Sequence, residues 1–282
     1  MQPHHAEDHL SFLDELRNRF DTQDTRWTLS VTLTASKIWL DQFPLKGMKH
    51  HVNWFNLKTG DSDESKDGQQ PLLRGHMDMS EIKQSIHLLQ DNDVDLNNVA
   101  LGMLLYGHAF ILDNHSCIHP DGTCKYSATR KSSCSAQPGM LSYAELLSRN
   151  ESQEAQVYHS SSKLFKYTVF EDDTWAAFDD ATTWAAKKAL MHSLGMGGLG
   201  LWWLNHDNGR FEAMSELLGD FSSLQLKGGS ATPQERKSLA EPMAAFTGQD
   251  CFATAQCTDG SLGQRGAEQT HLLSSERHAQ EL

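Results

Sequence analysis

Apolar residues recur along the chain with two different periods, and these periods predict its helices and strands. Segments with apolar residues three or four positions apart are typical of amphipathic helices, and four stand out: residues 9–20, 80–90, 182–194 and 211–218. Segments of alternating or continuous apolar residues indicate strands, and these are residues 27–35, 52–57, 99–106 and 198–204. The last two are almost uninterrupted, which is typical of strands buried on both faces.

Residues 107–178 interrupt this alternation of helices and strands. They contain three of the five cysteines, many serines and glycines, and only short apolar pieces. The segment is too long for an ordinary connection between a strand and a helix, so we predict a small inserted α+β subdomain. Residues 58–75 are polar and rich in turn formers, which predicts a loop. From about residue 228 the apolar periodicity is lost, which predicts loop or disorder.

The remaining helices and strands alternate, which favours an α/β fold with a parallel sheet. Its four strands do not close a barrel. In such folds chemistry gathers at the carboxyl ends of the strands, here residues 34–39, 56–61, 106–110 and 202–207. Aromatic and neutral polar residues dominate these groups. The combination suits sugars, because rings stack on their apolar faces and polar groups bond their hydroxyls. The alternative is that Trp54, Trp202 and Trp203 are simply core residues.

Composition narrows the classes of function. The net charge of −13 and the pI of about 5.5 argue against binding to nucleic acid or to anionic membranes, which need basic patches. No apolar run approaches the roughly 18 residues of a membrane span. The first residues also lack the apolar core of a signal peptide. We therefore expect neither a membrane span nor a signal peptide in this chain.

The cysteines nevertheless indicate an oxidising compartment. Cys117, Cys124 and Cys134 form one group and Cys251 and Cys257 another, and neither group has the CxxC spacing of zinc or redox sites. Disulfides of a secreted protein are the better interpretation. Two Asn-x-Ser triplets, which begin at residues 114 and 150, agree with secretion.

Other motifs do not indicate a cofactor or a metal. The GxGxxG run at residues 195–200 follows a predicted helix and opens a strand, the reverse of a dinucleotide site, so we interpret it as a helix stop before a tightly packed strand. No histidine pair has metal-ligand spacing on a predicted helix. Asp179 and Asp180, with the acidic residues 171–173, are paired carboxylates of the kind used in acid–base chemistry. A solvated turn is the preferred interpretation of these acids.

The chain resembles family-18 glycoside hydrolases, in the subgroup of large fungal chitinases related to killer-toxin alpha subunits. The likeness begins with LSVTLTAS and VNWFNL within residues 29–57 and continues with EIKQSIHLLQDNDVDLNNVALGMLLYGHAF at residues 81–110. Segments at residues 139–145, 166–189 and 197–203 resemble the family in the same order, so the resemblance covers about residues 8–220.

This resemblance implies a partial (β/α)₈ TIM barrel, of which the chain holds strands 5–8 and their helices. It implies four segments: a barrel segment at 1–106, a chitin-insertion-like α+β subdomain at 107–178, the last barrel strand and helix at 179–220, and a polar cysteine-containing tail at 221–282. Cys251 and Cys257 resemble the start of the cysteine-rich tail found in that subgroup. The family also implies an extracellular location.

Catalysis in the family depends on acids that this sequence lacks. A Glu at the end of the fourth strand protonates the leaving oxygen, the substrate's own acetamide attacks the anomeric carbon, and an Asp orients that acetamide. These acids belong to an Asp-x-x-Asp-x-Asp-x-Glu run, and no such run occurs in the 282 residues. Residues 9–20 resemble the helix that follows the fourth strand, so the motif is expected just before Met1. We therefore assign no catalytic residue.

Four positions keep or alter the family's substrate contacts. Trp202 matches the tryptophan that floors the sugar subsite beside the scissile bond, and Tyr106 matches the tyrosine of a Tyr-Gly-Arg motif. His108 stands where the family usually has that arginine. Asp61 is what remains of a Met-x-Tyr-Asp motif, because Lys58-Thr-Gly replaces the other residues. The alternative for Asp61 is a loop residue that caps a turn.

The resemblance thus implies a chitinase-like glycoside hydrolase, of the class that cleaves β-1,4-N-acetylglucosamine linkages in chitin with substrate-assisted retention. Without the acidic run, we expect this chain to be inactive as it stands. One alternative is a non-catalytic module that binds chitin or its oligosaccharides. The other is a degenerate barrel fragment, whose unpaired sheet edges and open core face favour aggregation or dimers. The expected partners are chitin and either an N-terminal half-barrel or a second copy.

Overall fold

The computed structural model describes residues 3–60, 71–75, 77–130, 132, 137–151, 155–171 and 173–219. The helices are α1 (Pro3–Asp21), α2 (Lys37–Leu40), α3 (Leu45–Met48), α4 (Met79–Asp91), α5 (Tyr143–Glu151), α6 (Ala181–Ser193) and α7 (Glu212–Leu218). The strands are β1 (Ser30–Thr34), β2 (Trp54–Lys58), β3 (Val99–Leu104), β4 (Tyr106–Leu112), β5 (Tyr126–Thr129), β6 (Met140–Ser142), β7 (Ala155–Ser160), β8 (Phe165–Phe170), β9 (Thr174–Phe178) and β10 (Gly198–Trp202).

All four helices and four strands predicted from apolar periodicity are present, and their bounds lie within three residues of the predicted ones except for α1, which begins six residues earlier. The helices α4 and α6 begin where their sequences supply a cap. Asp78 accepts a hydrogen bond from Ser80 N–H at 2.8 Å, and Asp180 forms a capping box with Thr183. The four-residue helices α2 and α3 were not predicted, because one turn is too short to show a period.

Four strands form a parallel sheet in the order β1-β2-β3-β10. Its central strands are the most buried, and β3 has the both-face burial expected of a continuous apolar run. Leu57 and Leu101, paired across β2 and β3, are both fully buried. Ile82 and Ile86 of α4 and Trp184 of α6 belong to the same core cluster.

The expectation that 198–204 is buried on both faces is wrong. Every residue of β10 is only partly buried. Within the described residues β10 pairs with β3 alone, and β1 pairs with β2 alone, so both are edge strands. An edge strand lacks a neighbour on one side, which leaves its backbone and side chains partly open.

Residues 106–178 contain a second sheet, which is antiparallel. Its order is β5-β4-β9-β8-β7, and β6 also pairs with β4. One face buries a cluster around Phe110, Phe165 and Trp175, and the other buries a cluster around Leu146 and Phe178. Helix α5 is the helix of this region.

A disulfide joins Cys117 to Cys124 in the loop between β4 and β5, with the two Cα atoms 5.3 Å apart. This confirms the prediction of disulfide bonding for these two residues. Cys134, Cys251 and Cys257 lie outside the described residues, as does the tail predicted from residue 221 onward.

The interpretation of Asp179 as part of a solvated turn is wrong. Asp179 and Lys187 are both 0% exposed in their side chains, and they form an ion pair with 2.5 Å between Oδ1 and Nζ. Burial raises the pKa of the Asp179 carboxyl and lowers that of the Lys187 ammonium, and each partner's charge opposes the shift. The pair ties the end of β9 to α6, so it joins the second sheet to the first.

Gly195 ends α6 with φ +66°, and a Cβ at Gly197 would lie 2.1 Å from the carbonyl oxygen of Asn97. This confirms that the GxGxxG run is a helix stop before a tightly packed strand.

Candidate functional site

Parallel pairing brings the carboxyl ends of β2, β3 and β10 side by side. Thr59, directly after β2, is buried and donates its hydroxyl to the carbonyl oxygen of Gly102 in β3. Trp202 ends β10, and its carbonyl oxygen accepts a hydrogen bond from Leu105 N–H at 2.5 Å. Tyr106 is the residue directly after Leu105. Thr59, Tyr106 and Trp202 therefore lie along one edge of the parallel sheet.

The side chain of Trp202 lies back over its own strand. A Cβ at Gly200 would be 2.7 Å from a ring carbon of Trp202, so the absence of a side chain at Gly200 gives the ring its place. The ring is partly buried against the main core cluster. A partly buried aromatic ring at a strand end can both pack on the core and offer surface to a ligand.

Tyr106 and His108 project from the same face of β4, because they are two residues apart in one strand. Their rings are stacked, with centroids 5.8 Å apart and planes at 21°. Phe110 continues the row at 6.4 Å from His108, and Trp175 of β9 lies 6.1 Å from Phe110. We call Tyr106, His108, Phe110 and Trp175 the aromatic ladder. It runs from the carboxyl edge of the parallel sheet onto the antiparallel sheet.

His206 is a site residue that the sequence did not reveal. It lies four residues after Trp202, and only 6% of it is exposed. Its ring meets Tyr106 edge-on at 5.7 Å and lies 5.5 Å from the ring of Trp203. The Nδ1 atom is buried and has no hydrogen-bond partner among the described residues. A buried polar atom of this kind is costly unless a water or ligand group bonds it.

Burial lowers the pKa of His206 below its ordinary value of 6.5, and the charge of Glu145 opposes this shift to a smaller extent. The imidazole is therefore neutral at neutral pH, with one nitrogen that donates and one that accepts. Such a ring can bond a sugar hydroxyl or amide. His206 belongs to no sequence motif. Its position shortly after the end of a predicted strand was the one feature of the sequence that could have indicated a site residue.

Other residues grouped at the strand ends have different surroundings. Asp207 accepts hydrogen bonds from the backbone N–H groups of Ala213 and Met214 at 3.0 and 2.8 Å, so it caps α7. Trp203 is 39% exposed and Trp54 is 38% exposed, so the alternative that these two are core residues is wrong. Trp54 also starts β2, at the opposite end of the sheet from Trp202.

Of the four predicted substrate contacts, the structure brings three together. Tyr106 and His108 are stacked, and Trp202 lies at the neighbouring strand end. Asp61 lies outside the described residues.

In the described part of the chain, no group of three His, Cys, Asp or Glu residues could hold a metal ion. Among the helices that the structure describes, none is long and apolar enough to cross a membrane.

The comparison with protein families decides the classification. The family described as glycosyl hydrolases family 18 matches residues 2–207, well over half of the chain. The chain belongs to glycosyl hydrolase family 18. This confirms the resemblance found in the sequence.

Curated relatives of the chain include fungal chitinases. The secreted chitinase LysM12 of Penicillium expansum is 28% identical over 250 residues, which are 80% of this chain but 16% of that protein. The probable chitinase LysM11 of the same organism is 25% identical over 223 residues, which are 70% of this chain and 19% of that protein. The chain therefore spans less than a fifth of the length of these two relatives.

Solved structures of family 18 show the same α/β fold. A class V chitinase from Nicotiana tobaccum, in complex with NAG4, superposes with a TM-score of 0.66 at 15% identity over 76% of this chain and 64% of that one. Human YKL-39, described as a pseudo-chitinase with retained chitooligosaccharide binding, gives 0.63 at 18% identity over 75% and 62%. The likeness to chitinase TIM-barrel structures is thus to part of their length, and the described strands form an open sheet, not a closed barrel.

Proposed function

We propose that this chain is the sugar-binding part of a secreted chitinase-like protein of family 18, and that it takes chito-oligosaccharide at the carboxyl ends of β3 and β10. One observation carries the proposal. Trp202, with a partly buried ring, ends β10, and Tyr106 follows the end of the neighbouring strand β3. The Tyr106 ring stacks on His108 and meets the neutral imidazole of His206 edge-on. Rings with a few fixed polar groups are what a saccharide site needs, since sugars have apolar faces edged by hydroxyls.

Each proposed contact has its own role. Trp202 floors a sugar ring, Tyr106 holds the wall of the site beside it, and His108 extends that wall along β4. Asp61, which follows the buried Thr59 and Gly60, supplies a carboxylate to a sugar hydroxyl or acetamide. His206, whose ring meets Tyr106 edge-on, offers its buried Nδ1, which has no partner among the described residues.

Hydrolysis by this chain alone is not part of the proposal. The sequence has no Asp-x-x-Asp-x-Asp-x-Glu run, so it offers neither the proton donor nor the acetamide-orienting acid. Loss of general-acid help alone reduces rates about 10²–10⁴-fold. A protein that keeps sugar contacts without these acids binds its ligand and releases it unchanged.

The two edge strands support the proposed partner and domain arrangement. Both β1 and β10 present one unpaired side within the described residues, and parallel sheets of this class normally have covered edges. We propose that further strands, from an N-terminal half-barrel or a second copy, complete the sheet there. Residues 107–178 would then be a chitin-insertion domain that deepens the groove beside the aromatic ladder.

The proposal is tested by retention of the purified chain on chitin. Truncating a central aromatic contact typically removes about 2 kcal/mol, or roughly 30-fold in affinity, so Trp202→Ala should lose retention. Trp54→Ala is the matched control, because Trp54 is an exposed tryptophan at the far end of the sheet. Equal loss in both variants, or no retention of the parent chain, would refute the site. Release of soluble sugar above the blank would refute the absence of catalysis.

A further inference from the structure

Two Asn-x-Ser triplets occur in the chain, and the structure places them very differently. The first, Asn114-His-Ser, lies in the loop after β4, and its three residues are exposed. The side chain of Asn114 accepts a hydrogen bond from Ser116 N–H at 3.0 Å, which forms an Asx turn across the triplet. The carbonyl oxygen of Asn114 accepts from Cys117 N–H at 2.9 Å.

The second triplet begins at Asn150, near the end of helix α5. This asparagine is partly buried, and its Oδ1 atom is buried without a hydrogen-bond partner among the described residues. The modification would have to take place at a partly buried side chain within helix α5, whereas Asn114 is exposed in a loop. The fold therefore accommodates a modification at the first triplet and opposes it at the second.

We propose that Asn114 is an N-glycosylation acceptor and that Asn150 is not. Asn-x-Ser is the acceptor triplet of proteins that pass through the secretory pathway. The disulfide between Cys117 and Cys124, three residues beyond Asn114, independently requires an oxidising compartment of that kind. The two features occupy the same loop between β4 and β5, so the same compartment serves both.

The reaction needs a co-substrate, an oligosaccharide linked to a polyprenyl diphosphate. The Nδ2 atom of Asn114 forms a bond to C1 of the first sugar, the bond from C1 to the diphosphate oxygen breaks, and Nδ2 releases one proton. The polyprenyl diphosphate leaves. No electrons are transferred, and the amide carbonyl remains to accept hydrogen bonds.

Asn114, the attachment point, lies away from Trp202 and Tyr106. Tyr106 and Leu112 are the two ends of β4, six residue steps apart, which is about 20 Å at the rise of an extended strand. Asn114 lies beyond the far end. The modification is thus compatible with ligand binding at Trp202 and Tyr106.

The test uses the full chain, secreted through a fused leader from a eukaryotic host that N-glycosylates. Peptide mass spectrometry after enzymatic glycan removal in heavy-oxygen water should mark Asn114 as aspartate with the heavy label and leave Asn150 unlabelled. The variants Asn114→Gln and Ser116→Ala should each lose one glycan in intact mass, whereas Asn150→Gln and the conservative Ser116→Thr should keep it.

An unmodified Asn114 in the secreted parent chain, or a label on Asn150, would overturn the proposal. The peptide measurement needs no variant, so it decides the outcome even where a substituted chain is not secreted.

Discussion

The two sheets of this molecule differ in the direction of their strands, which are antiparallel in one and parallel in the other. The antiparallel sheet packs clusters on both faces, around Trp175 on one side and Leu146 on the other. The parallel sheet buries its central strands β2 and β3 but has partly open edge strands at β1 and β10. Both sheets keep edge strands with one unpaired side among the described residues, β5 and β7 in the antiparallel sheet and β1 and β10 in the parallel sheet. The comparison teaches that these edges differ in meaning, because an antiparallel sheet can face water whereas a parallel sheet is normally covered. The proposed ligand site lies where the two sheets meet.

The largest expected effect comes from the ion pair that joins the two sheets. Lys187→Met would leave the carboxylate of Asp179 buried without its partner, and breaking such a pair costs about 3–5 kcal/mol. Urea unfolding, followed by circular dichroism and by tryptophan fluorescence, measures the loss in free energy of unfolding.

The matched control is the double variant Asp179→Leu with Lys187→Met, which removes both charges and should recover most of the loss. If the single and double variants were equally unstable, packing and not charge would hold the junction.

A smaller effect should separate a central strand from an edge strand. Leu101→Ala removes a fully buried side chain from β3, for which we expect about 2–5 kcal/mol. Leu201→Ala makes the same truncation in the partly buried β10, for which about 1 kcal/mol is expected. Denaturant unfolding of both variants gives the comparison. Equal losses would show that β10 is covered in solution, by a second copy or by other parts of the chain.

The smallest effect is the dependence of folded stability on pH that His206 causes. Burial lowers the pKa of His206, so below its ordinary value of 6.5 the unfolded chain binds a proton that the folded chain does not. Folded stability should therefore fall as the pH drops from about 7 toward 5, and His206→Gln should reduce that fall. Thermal unfolding at the two pH values measures it. The variant His192→Gln, at an exposed histidine of α6, should keep the parent's dependence; an unchanged slope in His206→Gln would contradict the assignment.

Much of the fold could be predicted because apolar residues recur in its helices and strands with clear periods. The alternation in β1 and the three- and four-residue spacing in α4 are local properties, and they gave nearly correct bounds. The exposure of β10 is not determined by its own sequence. The run GLGLWW predicts burial on both faces, but burial depends on whether another strand lies beside it.

The site was predictable only in part for the same reason. Tyr106, His108 and Trp202 follow strand ends and match family motifs, so the sequence could place them at one edge. His206 has no motif, and its ring contacts Tyr106 of β4, about a hundred residues earlier in the chain, and Trp203, which follows β10. Asp179 appeared as one of several surface acids because its partner Lys187 lies eight residues on, two turns into α6.

The direct passage of β3 into β4, through the single residue Leu105, has a consequence for engineering the protein. A chimaera in which the antiparallel sheet comes from a related protein has no flexible linker at this point where the two sequences could be joined. Joining them after Tyr106 would exchange His108 and Phe110 but keep Trp202. The proposed sugar site would then combine Trp202 from one parent with His108 and Phe110 from the other. Chimaeras of related proteins would show which of these two parts discriminates between oligosaccharides.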